Sequence, residues 1–181
     1  MHERRFNQEI EWLRDPERVA HLEVERVVKL ALGDLKNIHT VLDIGTGSGL
    51  FAEQFAAKGL QVTGLDANPD MLSAAQQFVP SGTFREGVAE KLPFQDGVFD
   101  LVFMGLLLHE TDDIEAALKE AHRVSLKRLA ILEWPDEDQS FGPPREHRLS
   151  YEKIALLAEQ TGFKEVNPMR LDNMVLYLMD R

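Results

Sequence analysis

Three glycines and two carboxylates form the pattern in this sequence that can do chemistry. Residues Val41 to Gly49 read Val-Leu-Asp-Ile-Gly-Thr-Gly-Ser-Gly, and Asp66 ends a second apolar run farther along the chain. An apolar strand that passes through glycines into a helix brings backbone N–H groups and the positive helix end to a ligand. A carboxylate after the next strand can accept hydrogen bonds from the hydroxyls of a ribose. The pattern therefore predicts a nucleoside-binding site.

Two classes of cofactor fit this glycine loop. Gly47, Gly49 and Ala52 match the fingerprint G-x-G-x-x-G/A, which binds the pyrophosphate of a dinucleotide. The longer frame from Asp43 through Gly45 is instead typical of loops that bind S-adenosylmethionine. Asp43 favours the second interpretation, because a carboxylate repels a pyrophosphate and attracts a cationic amine or sulfonium. A nicotinamide dehydrogenase, and a sharp strand-to-helix turn with no ligand, stay open as alternatives.

Composition narrows the class of protein further. The chain has 181 residues, a net charge of −11 and no cysteine. The negative charge argues against a nucleic-acid partner, because phosphate binding needs a basic surface. Without cysteine there is no disulfide framework or thiolate metal site, and we expect no metal. No apolar run is long enough to span a membrane and no signal peptide is evident, so we expect a cytoplasmic protein without membrane contact.

The secondary-structure pattern predicts a doubly wound α/β fold. Strand-like and helical segments alternate after residue 40, which predicts parallel strands with right-handed crossovers. Leu129 to Glu133 reads as the fifth strand. The last two strands, Glu165-Val166 and Val175 to Leu178, follow each other without a helix and predict an antiparallel hairpin. We expect a Rossmann-like sheet of seven strands, mostly parallel with one antiparallel strand, and helices on both faces.

The same pattern predicts a single domain over residues 1–181. Its first part, residues 1–36, reads as a helical N-terminal cap with a break at Asp15-Pro16, where Asp15 can cap a helix that Pro16 begins. Residues 37–181 form the predicted core. No repeat or change of composition marks a second domain.

At this point four segments resemble the class I S-adenosylmethionine-dependent methyltransferases. More narrowly, they are similar to the small single-domain group related to the ubiquinone and menaquinone biosynthesis methyltransferases. The resemblance covers about residues 41–133, and its motifs are Val41 to Gly49, Thr63 to Leu72, Glu86 to Phe94 and Phe99 to Val102. It implies an enzyme that transfers a methyl group to a small-molecule acceptor by in-line displacement, with S-adenosylhomocysteine as product.

The resemblance also implies a set of cofactor-binding residues. Asp43 would lie near the amine, Asp66 would hold the ribose hydroxyls and Met71 would pack on the adenine. The family often has an acidic residue where this chain has Val88, so either Glu90 takes that role or the contact is lost. The full set is Asp43, Gly45, Thr46, Gly47, Gly49, Asp66, Ala67, Met71, Ala89, Glu90 and Met104.

Polar residues after the predicted fourth and fifth strands are candidates for the part of the site that binds the methyl acceptor, called the acceptor half below. His109 follows the fourth strand, at the sheet edge where ligands bind, and can act as a general base; alternatively it only hydrogen-bonds a loop. Trp134, Arg145, His147 and Arg148 follow the fifth strand and are candidate substrate ligands. The two arginines suit an anionic acceptor, although they can equally form salt bridges with loop carboxylates.

We further expect a lid over the acceptor half. The segment Arg4 to Leu13, with Phe6 and Trp12 as apolar cover, would close the site together with the loop Gly142 to Arg148. The expected assembly is a monomer or homodimer. The alternative function is a non-catalytic regulatory module that binds S-adenosyl ligands.

Overall fold

A computed structural model describes residues 10–181, in which a seven-stranded sheet carries helices on both faces. The strand order is β3-β2-β1-β4-β5-β7-β6, and every neighbouring pair is parallel except the two pairs that β7 makes. The predicted mostly parallel sheet with one antiparallel strand is therefore confirmed. The strands are β1 (Thr40–Ile44), β2 (Gln61–Asp66), β3 (Thr83–Glu86), β4 (Phe99–Gly105), β5 (Ser125–Glu133), β6 (Asn167–Arg170) and β7 (Val175–Asp180).

Seven helices surround the sheet in the described part of the chain. Four of them begin at a side chain that accepts a backbone N–H from the first turn, and these caps are Asp15, Asn68, Asp113 and Ser150. No described helix is long and apolar enough to cross a membrane. The helices are α1 (Ile10–Leu13), α2 (Pro16–His21), α3 (Val24–Leu32), α4 (Leu50–Ala57), α5 (Pro69–Phe78), α6 (Ile114–Val124) and α7 (Tyr151–Gln160).

The central strands bury both of their faces. In β4, Val102 and Met104 pack towards α6 and α7, whereas Leu101 and Phe103 pack towards α3 and α4. This is why the central strands read as continuous apolar runs rather than as alternating patterns. The carboxylates of these strands lie near the strand ends, and the carboxyl ends are where the cavity described below opens.

Three boundaries differ from the prediction. The sixth strand is Asn167–Arg170 rather than Glu165-Val166; Pro168 is tolerated there because β6 lies at the sheet edge and needs no ladder N–H on its outer side. Strand β5 begins at Ser125 rather than at the predicted Leu129, because it follows α6 directly with no turn between them. A second break separates α2 from α3 at Glu23, whose φ of 50° lies in the left-handed region.

Candidate functional site

A cavity of about 1340 Å³ opens at the carboxyl ends of β1, β2 and β4 and beside the end of β5. Its wall also includes parts of α1 and α2 and of the loop that follows β5. The predicted site residues on this wall are Gly45, Thr46, Gly47, Asp66, Ala67, Met71, Ala89, Glu90, His109, Trp134 and His147. Five other predicted residues are not on the wall: Asp43, Gly49, Met104, Arg145 and Arg148.

Glycine is required at different positions of the loop for different structural reasons. All three have positive φ, 69° at Gly45, 52° at Gly47 and 79° at Gly49. A Cβ on Gly47 would meet nothing within 4 Å, so this residue leaves open space beside the cavity. A Cβ on Gly49 would approach the Ala75 backbone to 3.1 Å, so this glycine permits close packing of α4 on α5. Gly49 therefore has a packing role, and its predicted ligand role stays a prediction.

Asp66 holds the glycine loop and the next helix together. Its carboxylate accepts the backbone N–H of Gly47 at 2.8 Å and that of Asn68 at 2.9 Å, one on each oxygen. Each oxygen has a second lone pair, so the group retains capacity for further donors such as hydroxyls. Burial raises the pKa of Asp66, and the backbone N–H groups partly offset this effect.

Asp43 lies beneath the loop, behind the cavity wall. Its side chain is 2% exposed and accepts the hydroxyl of Thr46 at 2.7 Å. Burial raises the pKa of Asp43 to about 7, although the Thr46 hydrogen bond favours the ionised form. Thr46, which does line the cavity, therefore stands between Asp43 and any ligand.

The region predicted for adenine is formed mainly by α5 and the loop after β3. Met71, Ala67, Ala89 and Glu90 all line the cavity there. Glu90 also accepts the backbone N–H of Asp112 at 3.0 Å, which fixes its carboxylate beside the loop after β4. Met104 does not join this group: it is fully buried among core residues between β4 and the helices α6 and α7, because its position in the strand directs it to that face.

The chain leaves β4 through a strained residue that the sequence did not identify. Leu106 has a φ of 57°, in the left-handed region that disfavours residues with a Cβ. Its N–H donates to the Leu132 carbonyl at 2.8 Å, which holds the turn, and Gly105, Leu106 and Leu107 all line the cavity. Strain of this kind is concentrated at functional sites, where the surrounding structure compensates for it.

His109 and Glu133 form a buried pair on the other side of the cavity. The His109 Nδ1 lies 2.8 Å from Glu133 Oε2, and the His109 backbone N–H donates to Glu133 Oε1 at 3.2 Å. Glu133 is fully buried, whereas His109 lines the cavity. An ionised carboxylate only accepts, so Nδ1 carries the proton and Nε2 is the nitrogen left for other partners. Glu110 Oε1 lies 3.7 Å from Nε2.

The charge of Glu133 determines the titration of this histidine. Burial opposes the cation, but the nearby Glu133 carboxylate, with its hydrogen bond, and the charge of Glu110 outweigh burial and raise the pKa of His109. The sequence analysis missed Glu133. The sequence feature that could have identified Glu133 is a carboxylate at the end of an apolar strand, like Asp66 at the end of β2.

The two arginines of the loop after β5 do not reach the cavity. The Arg148 side chain is nearly buried and donates to the carbonyls of Pro135, Glu137, Phe141 and Pro143 and to the Gln139 side chain. These bonds use its donors to fold the loop. The expectation that Arg148 contacts the acceptor is corrected to a structural role.

Arg145 is also turned away from the cavity. Its side chain is exposed and pairs with Asp136 at 3.0 Å and with Asp138 at 3.6 Å. The salt-bridged alternative for this loop therefore describes Arg145, whereas Arg148 is held by backbone carbonyls and the Gln139 side chain. Trp134 and His147 from the same segment do line the cavity.

Part of the predicted lid lies outside the described residues, including Arg4 and Phe6. Within residues 10–181, Trp12 and Leu13 line the cavity on one side, and Gly142, Pro143 and His147 line it on the other. Helix α2, which the lid prediction did not include, contributes Arg18 and His21. Between residues 10 and 181, no group of three or more His, Asp or Glu side chains is arranged to hold a metal ion.

Comparison with known proteins first defines the class of protein to which this chain belongs. A family model described as a methyltransferase domain matches residues 42–128. A SAM-dependent methyltransferase of Aquifex aeolicus, known from its crystal structure, superposes with a TM-score of 0.81 at 25% identity, over 97% of this chain and 99% of that one. The fold is thus that of a Rossmann-like methyltransferase.

Two relatives place the chain within a family. It is 41% identical over 85 residues to the demethylmenaquinone methyltransferase of Chlorobaculum parvum, over 46% of this chain and 35% of that protein. It is 32% identical over 179 residues to the demethylmenaquinone methyltransferase of Lactiplantibacillus plantarum, over 75% of this chain and 74% of that protein. The chain belongs to the family of S-adenosylmethionine-dependent methyltransferases, and S-adenosylmethionine is the family's cofactor.

The raised pKa of Asp43 gives a testable dependence of stability on pH. The folded protein keeps the Asp43 proton up to about pH 7, whereas the unfolded chain loses it near pH 3.9. The free energy of unfolding therefore falls as pH rises between these values. Asp66 and His109 have raised pKa values and add slopes of the same sign. We expect Asp43→Asn to reduce the loss of stability between about pH 5 and pH 8 by roughly 2 kcal/mol, measured by urea unfolding.

Asp100→Asn is the control for this experiment. Its pKa is lowered: burial opposes ionisation, but hydrogen bonds from the His39 and Thr40 backbone and from Lys127 outweigh burial. Asp100 is therefore ionised in both states above about pH 5, so its loss lowers stability without changing the pH dependence. If Asp43→Asn keeps the wild-type difference between the two pH values, Asp43 is already ionised in the folded protein at the lower pH.

Proposed function

We propose that this protein transfers the methyl group of S-adenosylmethionine to a small-molecule acceptor. The observation that supports this most directly is one continuous cavity lined by the glycine loop, Asp66 and His109, whose ring Glu133 holds from outside the cavity wall. When bound, S-adenosylmethionine supplies an activated methyl group that a nucleophile can displace. The chain's own residues then have to bind the cofactor, orient the acceptor, exclude water and accept a proton.

The cofactor half of the cavity fits an S-adenosyl group in its chemistry. Gly47 provides open space next to the backbone, and Asp66 retains acceptor capacity for the ribose hydroxyls. Met71 and Ala89 offer apolar contact for an adenine, and Glu90 a carboxylate beside it. In its ionised form, Asp43 favours a cationic amine by its charge, with Thr46 as the group in between.

In the acceptor half, His109 is the proposed general base. Glu133 holds the ring through Nδ1, so Nε2 can accept a proton from an O–H or N–H nucleophile. The carboxylate also stabilises the imidazolium that forms, and the burial of both side chains strengthens this attraction. Trp134 and His147 would contact the acceptor beside it. This arrangement favours an enzyme over the alternative of a non-catalytic module.

The acceptor itself is proposed only as a class. The name demethylmenaquinone methyltransferase belongs to the relatives, and the aligned segment spans about a third of the length of the Chlorobaculum protein. A cytoplasmic location and a monomer or homodimer remain predictions.

Incubation of the purified protein with methyl-labelled S-adenosylmethionine and a metabolite extract tests the proposal. We expect label in a low-molecular-weight product and release of S-adenosylhomocysteine. His109→Gln should lower the transfer rate by about 10²–10⁴-fold, the usual contribution of a general base, with little change in S-adenosylhomocysteine affinity. His122→Gln, a change outside the cavity wall, serves as the control. Binding of S-adenosylhomocysteine without transfer to any component would instead favour the regulatory module.

Removal of the Asp66 carboxylate tests the cofactor half. We expect Asp66→Ala to weaken S-adenosylhomocysteine binding by roughly 1.5–3 kcal/mol, the scale of hydrogen bonds to a charged group, in titration calorimetry. Asp70→Ala, a nearby exposed carboxylate, is the control with the same change of charge. An unchanged dissociation constant in a folded Asp66→Ala protein would show that the ribose lies elsewhere.

Glu133→Gln tests the positioning role of Glu133. We expect the pKa of His109 to fall, because burial still disfavours the cation and the main charge that stabilises it is gone. The acidic limb of the pH–rate profile should move to lower pH, and NMR titration of the ring measures the pKa without any acceptor. Glu110→Gln should lower the pKa less, since its carboxylate is farther from the ring. A pKa that Glu133→Gln leaves unchanged would contradict the pairing.

A further inference from the structure

Helix α2 places two nitrogen-bearing side chains over the cavity. Arg18 and His21 are three residues apart and therefore lie on the same side of the helix, and both line the cavity. The sequence analysis assigned neither of them a role, and the proposed function above uses neither.

Arg18 carries a charge that this part of the structure does not neutralise. One guanidinium nitrogen donates to the Leu13 carbonyl at 2.9 Å, and the group lies 4.8 Å from the centre of the Trp12 ring. Within residues 10–181, no carboxylate lies within ion-pair distance of Arg18. Arg18 is half-buried, and this burial lowers its pKa to about 10. A charge that is partly removed from water costs free energy unless a partner joins it.

The other charged groups on the wall have the opposite sign. Arg18 is the only Arg or Lys among the described residues that line the cavity. The acidic residues of the wall are Asp15, Glu17, Asp66, Glu90, Glu110 and Asp112. An anionic group that enters the cavity therefore finds one strong binding partner, and that partner is the guanidinium of Arg18.

His21 has an unmet hydrogen bond. Its Nε2 is buried and has no partner in the described part of the chain. The ring packs against Phe141, with centroids 4.5 Å apart, and lies 6.4 Å from the Trp134 ring. A polar atom without a partner in such surroundings is destabilising on its own, and a bound ligand can satisfy it.

The direction of α2 relates these groups to the two halves of the cavity. Just before the helix, Arg14 donates to the Ser48 carbonyl of the glycine loop at 2.9 Å. At its other end, His21 lies beside Trp134, on the acceptor side. Arg18 lies between these two residues in the chain and lines the same cavity, so its position alone does not assign it to one half.

We propose that Arg18, assisted by His21, forms an anion-binding site in the wall of this cavity for a carboxylate or phosphate group. The inference rests on the proposed function for its ligand, and two sources fit the chemistry. One is the carboxylate of the cofactor's methionine part. The other is an anionic group on the acceptor, in place of the loop arginines that the structure uses elsewhere.

Arg18→Gln, compared with Arg145→Gln, tests the site. Arg145 is an exposed arginine outside the cavity wall, so it matches the change of charge. Calorimetry measures the affinity of each variant for S-adenosylhomocysteine and for its decarboxylated form. NMR titrations with benzoate and with inorganic phosphate measure anion binding, both in protein saturated with S-adenosylhomocysteine and in protein without it. The midpoints of urea unfolding show whether each variant is folded.

If the anion is the cofactor's carboxylate, Arg18→Gln weakens S-adenosylhomocysteine binding by about 10-fold or more, as expected for a charged hydrogen bond, and leaves the decarboxylated form unchanged. If it belongs to the acceptor, S-adenosylhomocysteine affinity is unchanged and binding of benzoate or phosphate is lost. His21→Phe, which retains a ring, should weaken binding of the same ligand to a smaller extent.

The proposal is overturned if Arg18→Gln behaves like Arg145→Gln with every ligand. It is also overturned if Arg18→Gln weakens binding of the decarboxylated form as much as binding of S-adenosylhomocysteine itself, because the loss of affinity is then caused by packing. Failure of the wild-type protein to bind S-adenosylhomocysteine would refute the proposed function instead. In that case, the benzoate and phosphate titrations of the protein without S-adenosylhomocysteine still test anion binding by Arg18.

Discussion

Burial of the sheet on both faces is the constraint on which the rest of this structure depends. Helices cover the central strands on either side, so a carboxylate in the middle of a strand would be buried without water. The carboxylates of these strands lie near the strand ends, where they are buried or half-buried and hydrogen-bonded. Asp43, Asp66 and Glu133 all follow this rule at the carboxyl ends of β1, β2 and β5. The carboxyl edge of the sheet thus becomes the chemical surface of the protein.

Each of these carboxylates organises its neighbours before it can meet a ligand. Asp66 accepts backbone N–H groups from the glycine loop and from the start of α5. Asp43 accepts the hydroxyl of Thr46 beneath that loop, and Glu133 accepts both the ring and the backbone of His109. Groups that are fixed in this way lose little entropy when a ligand binds, which is the physical basis of preorganisation. The burial that creates them also raises the pKa values of Asp43 and Asp66.

The fold, and most of the residues that line the cavity around the glycine loop, could be predicted from the sequence because they depend on local patterns. Apolar strands, helix caps at Asn68 and Asp113, and glycines with positive φ are each determined within a few residues. The residues Gly49 and Met104 show the limit of this reasoning. A motif gives the position of a residue in the chain, but the packing of α4 on α5 and the face of β4 decide where each of them points.

The acceptor half could not be predicted equally well, because its contacts connect distant segments. His109 and Glu133 are 24 residues apart and meet only because β4 and β5 are neighbours. Arg148 reads as a ligand in the sequence, yet the loop after β5 has many carbonyls that no strand or helix satisfies. An arginine with five donors is well suited to hold such a loop together, and that use competes with ligand binding.

The electrostatics of the cavity relate these observations to the chemistry of the family's cofactor. S-adenosylmethionine carries a cationic sulfonium and an amine, and a wall with many carboxylates favours both by its field. The same field opposes the cofactor's carboxylate and any anionic acceptor. A wall of this sign therefore needs one localised positive group if an anion is to bind at all. Arg18 is such a group: the cap Asp15 fixes the start of α2 through two backbone N–H groups, and the helix in turn fixes the arginine over the cavity.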